Sequence, residues 1–225
     1  MKINEINKFI KNQIEPKLNG YLVHKDLIYK VESSFFLKYY CIVSKGNEED
    51  DIYASVAIQP LFVKSDFLYK TFGFNLTHRK KTKLFRTKTS ELWDARKENL
   101  VESFNSICNS IIDQGEPFLK CISNSEDFYN YYKKDMKLVT SVFEAVAYST
   151  VLYGTEKLQN LTIQSLIDFC SKQIDSDDDI VEIQIRQDAL ELLNANTTNN
   201  RINILKSWAN ETISHLKLPG ISYFD

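Results

Sequence analysis

The clearest pattern of apolar and polar positions in this chain lies between residues 34 and 63. Residues 35–44 and 52–59 are rich in aromatic and β-branched side chains, and a polar, turn-prone tract separates them. This pattern predicts two antiparallel strands joined as a long hairpin. Pro60 lacks a backbone N–H, so we expect the second strand to end there.

The two arms of this hairpin differ in the faces that they are expected to bury. Residues 35–44 are apolar on both faces, which predicts an inner strand. Along residues 52–59 the apolar positions alternate from Ile52 to Ile58, and Gln59 falls on the other face. A period of two predicts a strand with one buried face and one face in solvent.

Helical and extended segments flank the hairpin. Apolar residues at helical spacing predict a first helix over residues 3–18 that ends at Gly20. Alternation over residues 21–31 predicts another strand, so three strands form an antiparallel meander beneath this helix. Residues 66–76 are apolar but irregular, which indicates a covering loop with a short strand, and residues 83–88 are expected to form an edge strand.

From residue 90 onward the apolar spacing is helical. A long helix is predicted to begin at Ser90 and stop at Gly115, and Ser123 with Glu126 matches a capping box before a short aromatic helix. Two antiparallel helix pairs are expected over residues 136–153, 156–174, 177–194 and 200–216. The fold class is therefore α+β: an N-terminal helix, an antiparallel β-meander and a C-terminal set of antiparallel helices.

We expect two parts in this chain. A sheet-bearing α+β domain covers residues 1–122, and a helical domain over residues 123–225 packs on it; one continuous domain is the alternative. The apolar fraction of 43% and charged fraction of 26% indicate an ordinary soluble globular protein. Six glycines and four prolines are too few for an all-β fold, which consumes turn residues.

Composition also bears on the compartment. The first residues carry charges throughout, and no window of the sequence is long and apolar enough to span a bilayer. The four cysteines are widely spaced, which favours reduced thiols over a disulfide framework. We therefore expect a cytoplasmic protein without membrane association.

No catalytic, cofactor or metal site is predicted. The three histidines are far apart and no two cysteines are close, so the ligand spacing of a zinc site is missing. The glycines are scattered, which argues against a phosphate-binding loop, and no G-x-S-x-G motif is present. The acidic run from Asp175 to Asp179 lacks the glycine and glutamate of a calcium loop, so it is expected to start a helix.

The most unusual local composition is a basic tract without acids in residues 77–88. Its candidate interaction residues are Arg79, Lys80, Lys81, Lys83, Phe85, Arg86 and Lys88. The six cations could contact phosphates and the phenyl ring could stack on a base, or the tract could bind an acidic protein. The alternative is a solvated edge that blunts aggregation or pairs with acids of the same chain.

The basic tract belongs to a chain whose charge is unevenly divided. Residues 1–90 hold 16 Lys and Arg against 9 Asp and Glu, a net charge of +7, whereas residues 91–225 hold 12 against 21, a net charge of −9. Charges of opposite sign on two parts steer the approach of a complementary partner unless they face each other.

Three short motifs stand out in the first half of the chain: Gln-Pro-Leu-Phe-Val at residues 59–63, Phe-Gly-Phe-Asn-Leu at residues 72–76 and Gly-Glu-Pro-Phe at residues 115–118. They resemble motifs of bacterial DUF4304-type domains. The resemblance covers residues 3–122 and implies an α+β domain; some members of that group are thought to serve as immunity or interaction partners. None of the motifs carries chemistry, and the C-terminal helices lie outside the resemblance.

Three hypotheses for function follow. The first is a non-enzymatic cytoplasmic protein-interaction module, an immunity- or adaptor-like partner of another protein. The second is a nucleic-acid-binding protein that uses residues 79–88, and the third is an enzyme with a dispersed site. No cofactor is expected, and the identity of the protein partner is open.

Overall fold

The computed structural model describes residues 8–44, 51–81, 87–176 and 178–225. Near its start lie a π-helical turn, Ile10–Ile14, in which Ile10 and Ile14 are buried, and a 3-10 turn, Glu15–Lys17. The described part of the predicted N-terminal helix takes this form, and residues 1–7 lie outside the described residues. Gly20 has a positive φ of 79°, as expected for a helix end.

The fold is α+β, and its strands form one main sheet and one small sheet. In chain order they are β1 Leu22–His24, β2 Leu27–Glu32, β3 Phe36–Ser44, β4 Asp51–Pro60, β5 Gly73–Asn75, β6 His78–Lys81, β7 Thr87–Ser90 and β8 Trp93–Asp94. The main sheet is antiparallel in the order β1-β2-β3-β4-β5, and β8 pairs with β4 on the same side as β5. Strands β6 and β7 pair with each other.

The predicted hairpin is confirmed at the centre of the main sheet. Strands β3 and β4 pair from Phe36 opposite Pro60 to Ser44 opposite Ile52. Each has another strand on its far side, so both are inner strands. The connecting residues 45–50 lie outside the described residues, and β4 ends at Pro60 as predicted.

The prediction that β4 has a solvent face is wrong. Ser55, Ala57 and Gln59 are all fully buried, like their apolar neighbours. The chain after β4 folds back over this face: Gln59 Nε2 donates to the Phe67 carbonyl at 3.2 Å, and the Tyr69 N–H donates to Gln59 Oε1 at 3.4 Å. A polar side chain that satisfies backbone groups in this way is a core residue.

Seven α-helices are seen among the described residues. They are α1 Leu100–Ser110, α2 Glu116–Cys121, α3 Ser125–Tyr132, α4 Thr140–Tyr153, α5 Glu156–Gln173, α6 Ile180–Asn194 and α7 Thr198–Leu216. The C-terminal helices were therefore predicted within a few residues of their ends. One helix was predicted with the wrong cap, because Asn124 rather than Ser123 accepts the first backbone N–H of α3, from Asp127 at 2.9 Å.

The predicted helix from Ser90 to Gly115 is wrong at both ends. Trp93 belongs to β8, and α1 begins only at Leu100. Gly115 does not stop the helix, since a π-helical turn, Ile111–Gly115, leads directly into α2. A Cβ atom at Gly115 would lie 2.4 Å from Tyr40 Cε1, so glycine is needed where this helix crosses β3.

One connected core runs from the sheet into the helices. Lys38 on β3 lies within it: its ammonium group donates to the Leu119 carbonyl at 2.7 Å and pairs with Glu32 at 2.9 Å. The Lys38 cation thus satisfies a free carbonyl near the C-terminal end of α2. The division into domains at residue 122 stays a prediction.

The residues that follow α7 return to the sheet and cover the hairpin formed by β2 and β3. The Tyr29 hydroxyl donates to the Pro219 carbonyl at 2.5 Å, and the rings of Phe35 and Phe224 are 4.4 Å apart. Phe35 has a φ of +65°, a strained value for a bulky residue. The side chain of Asn210 fixes Phe224 by hydrogen bonds to its N–H at 2.8 Å and its carbonyl at 3.0 Å.

Candidate interaction site

The predicted basic tract forms a two-stranded antiparallel ribbon, β6 with β7. Arg79, Lys80 and Lys81 lie on β6, and Lys88 lies on β7 directly opposite Lys80. The predicted edge strand is thus seen in part, but its pairing with β6 was not predicted. The remaining candidate residues lie outside the described residues: Lys83, Phe85 and Arg86.

The register of the ribbon aligns basic residues: Lys80 on β6 is the backbone partner of Lys88 on β7. A ribbon of two strands is itself only marginally stable. The side chain of Arg79 is exposed, and its guanidinium has no hydrogen-bond or ion-pair partner among the described residues. An anionic group beside the ribbon would therefore stabilise it.

An aromatic stack anchors the base of the ribbon. The His78 ring lies 4.7 Å from the ring of Trp93, which is almost fully buried. His78 Nε2 donates to the Leu92 carbonyl at 2.8 Å, because a carbonyl oxygen only accepts. Trp93 Nε1 donates to Ser106 Oγ on α1 at 3.0 Å. The first strand of the ribbon is thus fixed to α1.

The residue before the ribbon is held by a second set of hydrogen bonds. The Thr77 carbonyl accepts from Gln114 Nε2 at 2.7 Å and from Ser110 Oγ at 2.8 Å. The Thr77 N–H donates to Gln114 Oε1 at 3.1 Å. The base of the ribbon is therefore fixed to α1 and to the π-helical turn that follows it.

Two clefts open on either side of Arg79. One has a volume of about 430 Å³ and includes His78, Trp93, Asp94, Glu102 and Ser106 in its wall. The other has a volume of about 360 Å³ and includes Thr89, Asn109, Asp113 and Gln114. Each cleft therefore joins the Arg79 cation to carboxylates and neutral hydrogen-bonding groups.

The carboxylate of Asp94 is already occupied. Arg96 Nε donates to both of its oxygens, at 2.9 and 3.0 Å, and Asn99 Nδ2 donates to Oδ2 at 2.9 Å. The hydrogen bonds from Arg96 hold the pKa of Asp94 well below its usual range, so the group is ionised at any physiological pH. Asp94 thus stays ionised, and its negative charge is balanced by the guanidinium of Arg96.

A second polar cluster lies inside the helical part and was missed in the sequence. Glu144 lies on α4 and is 6% exposed, and Asp188 on α6 is 5% exposed. Asp188 Oδ1 accepts from Lys64 Nζ at 2.7 Å and from Gln184 Nε2 at 3.0 Å. The same ammonium group lies 4.4 Å from the centre of the Trp208 ring.

Glu144 titrates at an unusual pH because of this position. Burial raises its pKa to about 8, the charge of Asp188 adds to the rise, and Lys64 opposes it. Near neutral pH the side chain therefore holds its proton. One signal could have found this cluster, since Glu144 is a single acid within the apolar run from Val142 to Val151.

Among the described residues, no three His, Cys, Asp or Glu side chains converge as a metal site would require. No helix in the described ranges is long and apolar enough to cross a membrane. All four cysteines are free thiols, and Cys121 is the exposed one.

The chain was compared with known proteins in three ways. No family model matches it, no curated protein matches it and no solved structure matches it. The resemblance to DUF4304-type domains therefore stays a prediction.

Proposed function

We propose that this chain is a non-enzymatic protein-interaction module that binds an acidic surface of another protein through the β6–β7 ribbon. The observation that carries this proposal is the exposed Arg79 guanidinium, which has no hydrogen-bond or ion-pair partner among the described residues, on a ribbon whose base is fixed. Contact with a carboxylate of another protein would give this cation a charge-assisted hydrogen bond. An immunity- or adaptor-like role is part of this proposal.

The surroundings of the ribbon favour a protein over an extended polyanion. Glu102 and Asp113 lie in the clefts on either side of Arg79. A phosphate backbone laid across the ribbon would meet these carboxylates, which repel it. A folded partner can match both signs of charge, and the carboxylates would then select against wrong partners.

Nucleic acid is the second candidate, and the shape of the ribbon favours it. A two-stranded β-ribbon fits the major groove of duplex DNA, and both strands of this ribbon carry basic residues. If about six phosphates were contacted, the log-log slope of affinity against salt would be near −5. Absence of any retarded complex in a mobility shift at low salt would exclude this candidate.

The experiment for the first candidate begins with proteins that co-purify with the full chain. The double variant Arg79→Gln with Lys80→Gln should slow association with a partner about 10-fold at low salt, and the effect should fade as salt rises. The melting temperature should not fall, because the side chain of Arg79 has no hydrogen-bond or ion-pair partner among the described residues. Stopped-flow mixing measures the rate.

The matched control removes the same charge elsewhere. Lys157 and Lys172 are exposed on α5, away from the ribbon, and Lys157→Gln with Lys172→Gln should leave the association rate within about 2-fold. Equal slowing by both double variants would show that net charge alone matters. An unchanged rate in the ribbon variant would contradict the proposal directly.

A further inference from the structure

Four large aliphatic side chains are exposed at one end of the helical part. Leu138 and Val139, just before α4, are 75% and 50% exposed, and Ile180 and Val181, at the start of α6, are 70% and 62% exposed. We call these four residues the end patch. Single exposed apolar residues are common on monomers, but a cluster of this kind is typical of an interaction site.

The two halves of the end patch are neighbours because α4 and α6 begin side by side. Thr140 Oγ1 in the first turn of α4 donates to Glu182 Oε1 in the first turn of α6 at 3.3 Å. Further along both helices, the Tyr148 hydroxyl donates to the Ile185 carbonyl at 3.3 Å. The helices thus run in the same direction, and their starts form one surface.

Charges of opposite sign border the two halves. Lys134 and Lys137 are exposed in the segment before α4, and Asp175 and Asp178 are exposed in the segment before α6. The side chains of these four residues make no hydrogen bond or ion pair within the described parts of the chain. The end patch therefore has a basic flank and an acidic flank across an apolar centre.

We propose that the end patch is the contact surface of a symmetric dimer of this chain. In a dimer with twofold symmetry, the same surface of both copies meets itself. A twofold axis through the centre places the basic flank of one copy on the acidic flank of the other, twice. The pair Leu138 and Val139 then packs on the other copy's Ile180 and Val181. A second copy of this chain therefore carries the charges that complement both flanks of the end patch.

The test is a charge exchange measured by sedimentation velocity from about 1 to about 500 micromolar. The wild-type chain should show a monomer–dimer equilibrium in this range. The variant Lys134→Glu with Lys137→Glu and the variant Asp175→Lys with Asp178→Lys should each raise the dimer Kd at least about 10-fold, because like flanks then meet. An equimolar mixture of the two variants should dimerise again, since one copy is acidic on both flanks and the other is basic.

A second pair of variants tests the apolar centre. Ile180→Asp should raise the dimer Kd at least about 30-fold, because it places a carboxylate in the centre of the contact. Leu161→Asp is the matched control: Leu161 is 63% exposed on α5, near the opposite end of α4, where Thr150 meets Thr162. It should leave the Kd unchanged.

The circular dichroism spectrum of the monomer should be unchanged in every variant, since all the substituted side chains are exposed. The melting temperature should fall slightly only in the variant Asp175→Lys with Asp178→Lys, because it removes acids from the start of α6. Three results would overturn the proposal. They are a wild-type chain that stays monomeric throughout the range, a dimer that neither charge exchange weakens, and an unlike protein that occupies the end patch of a monomer.

Discussion

Replacing Glu144 by glutamine should stabilise the protein in alkaline solution and change it little in acid. In the unfolded chain this carboxyl has the ordinary pKa of 4.5, whereas burial raises the folded-state pKa to about 8. Between these values the folded state holds a proton that the unfolded state has released. The free energy of unfolding therefore falls as pH rises through this window. Glutamine has nearly the same shape and does not titrate.

The size of the effect follows from the width of the window. Each pH unit inside it costs about 1.4 kcal/mol, so the loss accumulates to about 5 kcal/mol above pH 8. Below pH 4.5 both states are protonated and the loss vanishes. At pH 5 the loss is still under about 1 kcal/mol. We expect the stability advantage of Glu144→Gln to grow by on the order of 4 kcal/mol from pH 5 to pH 9.

Urea unfolding of both proteins at five pH values measures this advantage, because groups that titrate in both cancel in the difference. Glu191→Gln is the control, since Glu191 is exposed on α6, and its difference from the wild type should stay constant within about 0.5 kcal/mol. An advantage of Glu144→Gln that is equally flat from pH 5 to pH 9 would refute the reasoning. Glu144 would then already be ionised at pH 5.

Two further predictions concern the sheet. Ile58→Asp and Gln59→Asp should each lower the free energy of unfolding by about 3 kcal/mol or more, because both side chains are fully buried. The control Val101→Asp, at a position that is 70% exposed, should change it by under about 0.5 kcal/mol. A mild effect at Gln59 alone would show that the loop after β4 opens easily. Gly115→Ala should cost about 1 to 3 kcal/mol through its clash with the Tyr40 ring, and Tyr40→Leu should relieve part of this loss. The midpoints of urea unfolding measure all of these changes in stability. If the effects of Gly115→Ala and Tyr40→Leu simply add in the double variant, the proposed clash between the two positions is contradicted.

The sequence predicted the elements whose signals are local. The hairpin of β3 and β4 was found because aromatic and β-branched residues cluster on both sides of a polar turn. The helices α4 to α7 were found because their apolar spacing and their ends are determined by residues that are close in the sequence. The basic tract was likewise visible from composition alone.

The errors arose where distant contacts decide the structure. Gln59 looks solvent-facing by alternation, but the chain at Phe67 and Tyr69 covers it. Trp93 falls at helical spacing with later residues, yet it pairs with Ile52 in β8. Gly115 has the composition of a helix stop, but its place is set by the Tyr40 ring. In each of these cases the residue that makes the deciding contact lies outside the local pattern on which the prediction rested.

The candidate site was predictable to the same extent. Composition identified the cations, but the opposition of Lys80 to Lys88 depends on a register that two short strands adopt only in the folded chain. The arrangement of the basic residues on the ribbon is therefore a property of the strand pairing and not of the composition of the tract. The anchor formed by His78 and Trp93 also joins residues with no shared periodicity.

The return of residues 217–225 to the sheet has a consequence for biosynthesis. Pro219, whose carbonyl accepts a hydrogen bond from the Tyr29 hydroxyl, is translated 190 residues after Tyr29. At about 5 to 20 residues per second, ribosomes need on the order of 10 to 40 s to cover that distance. Throughout this time the faces of Tyr29 and Phe35 lack their covering segment, and Phe35 lacks the ring that packs against its strained conformation. A nascent chain that is halted before residue 217 therefore exposes an aromatic surface to which other nascent chains and chaperones can bind.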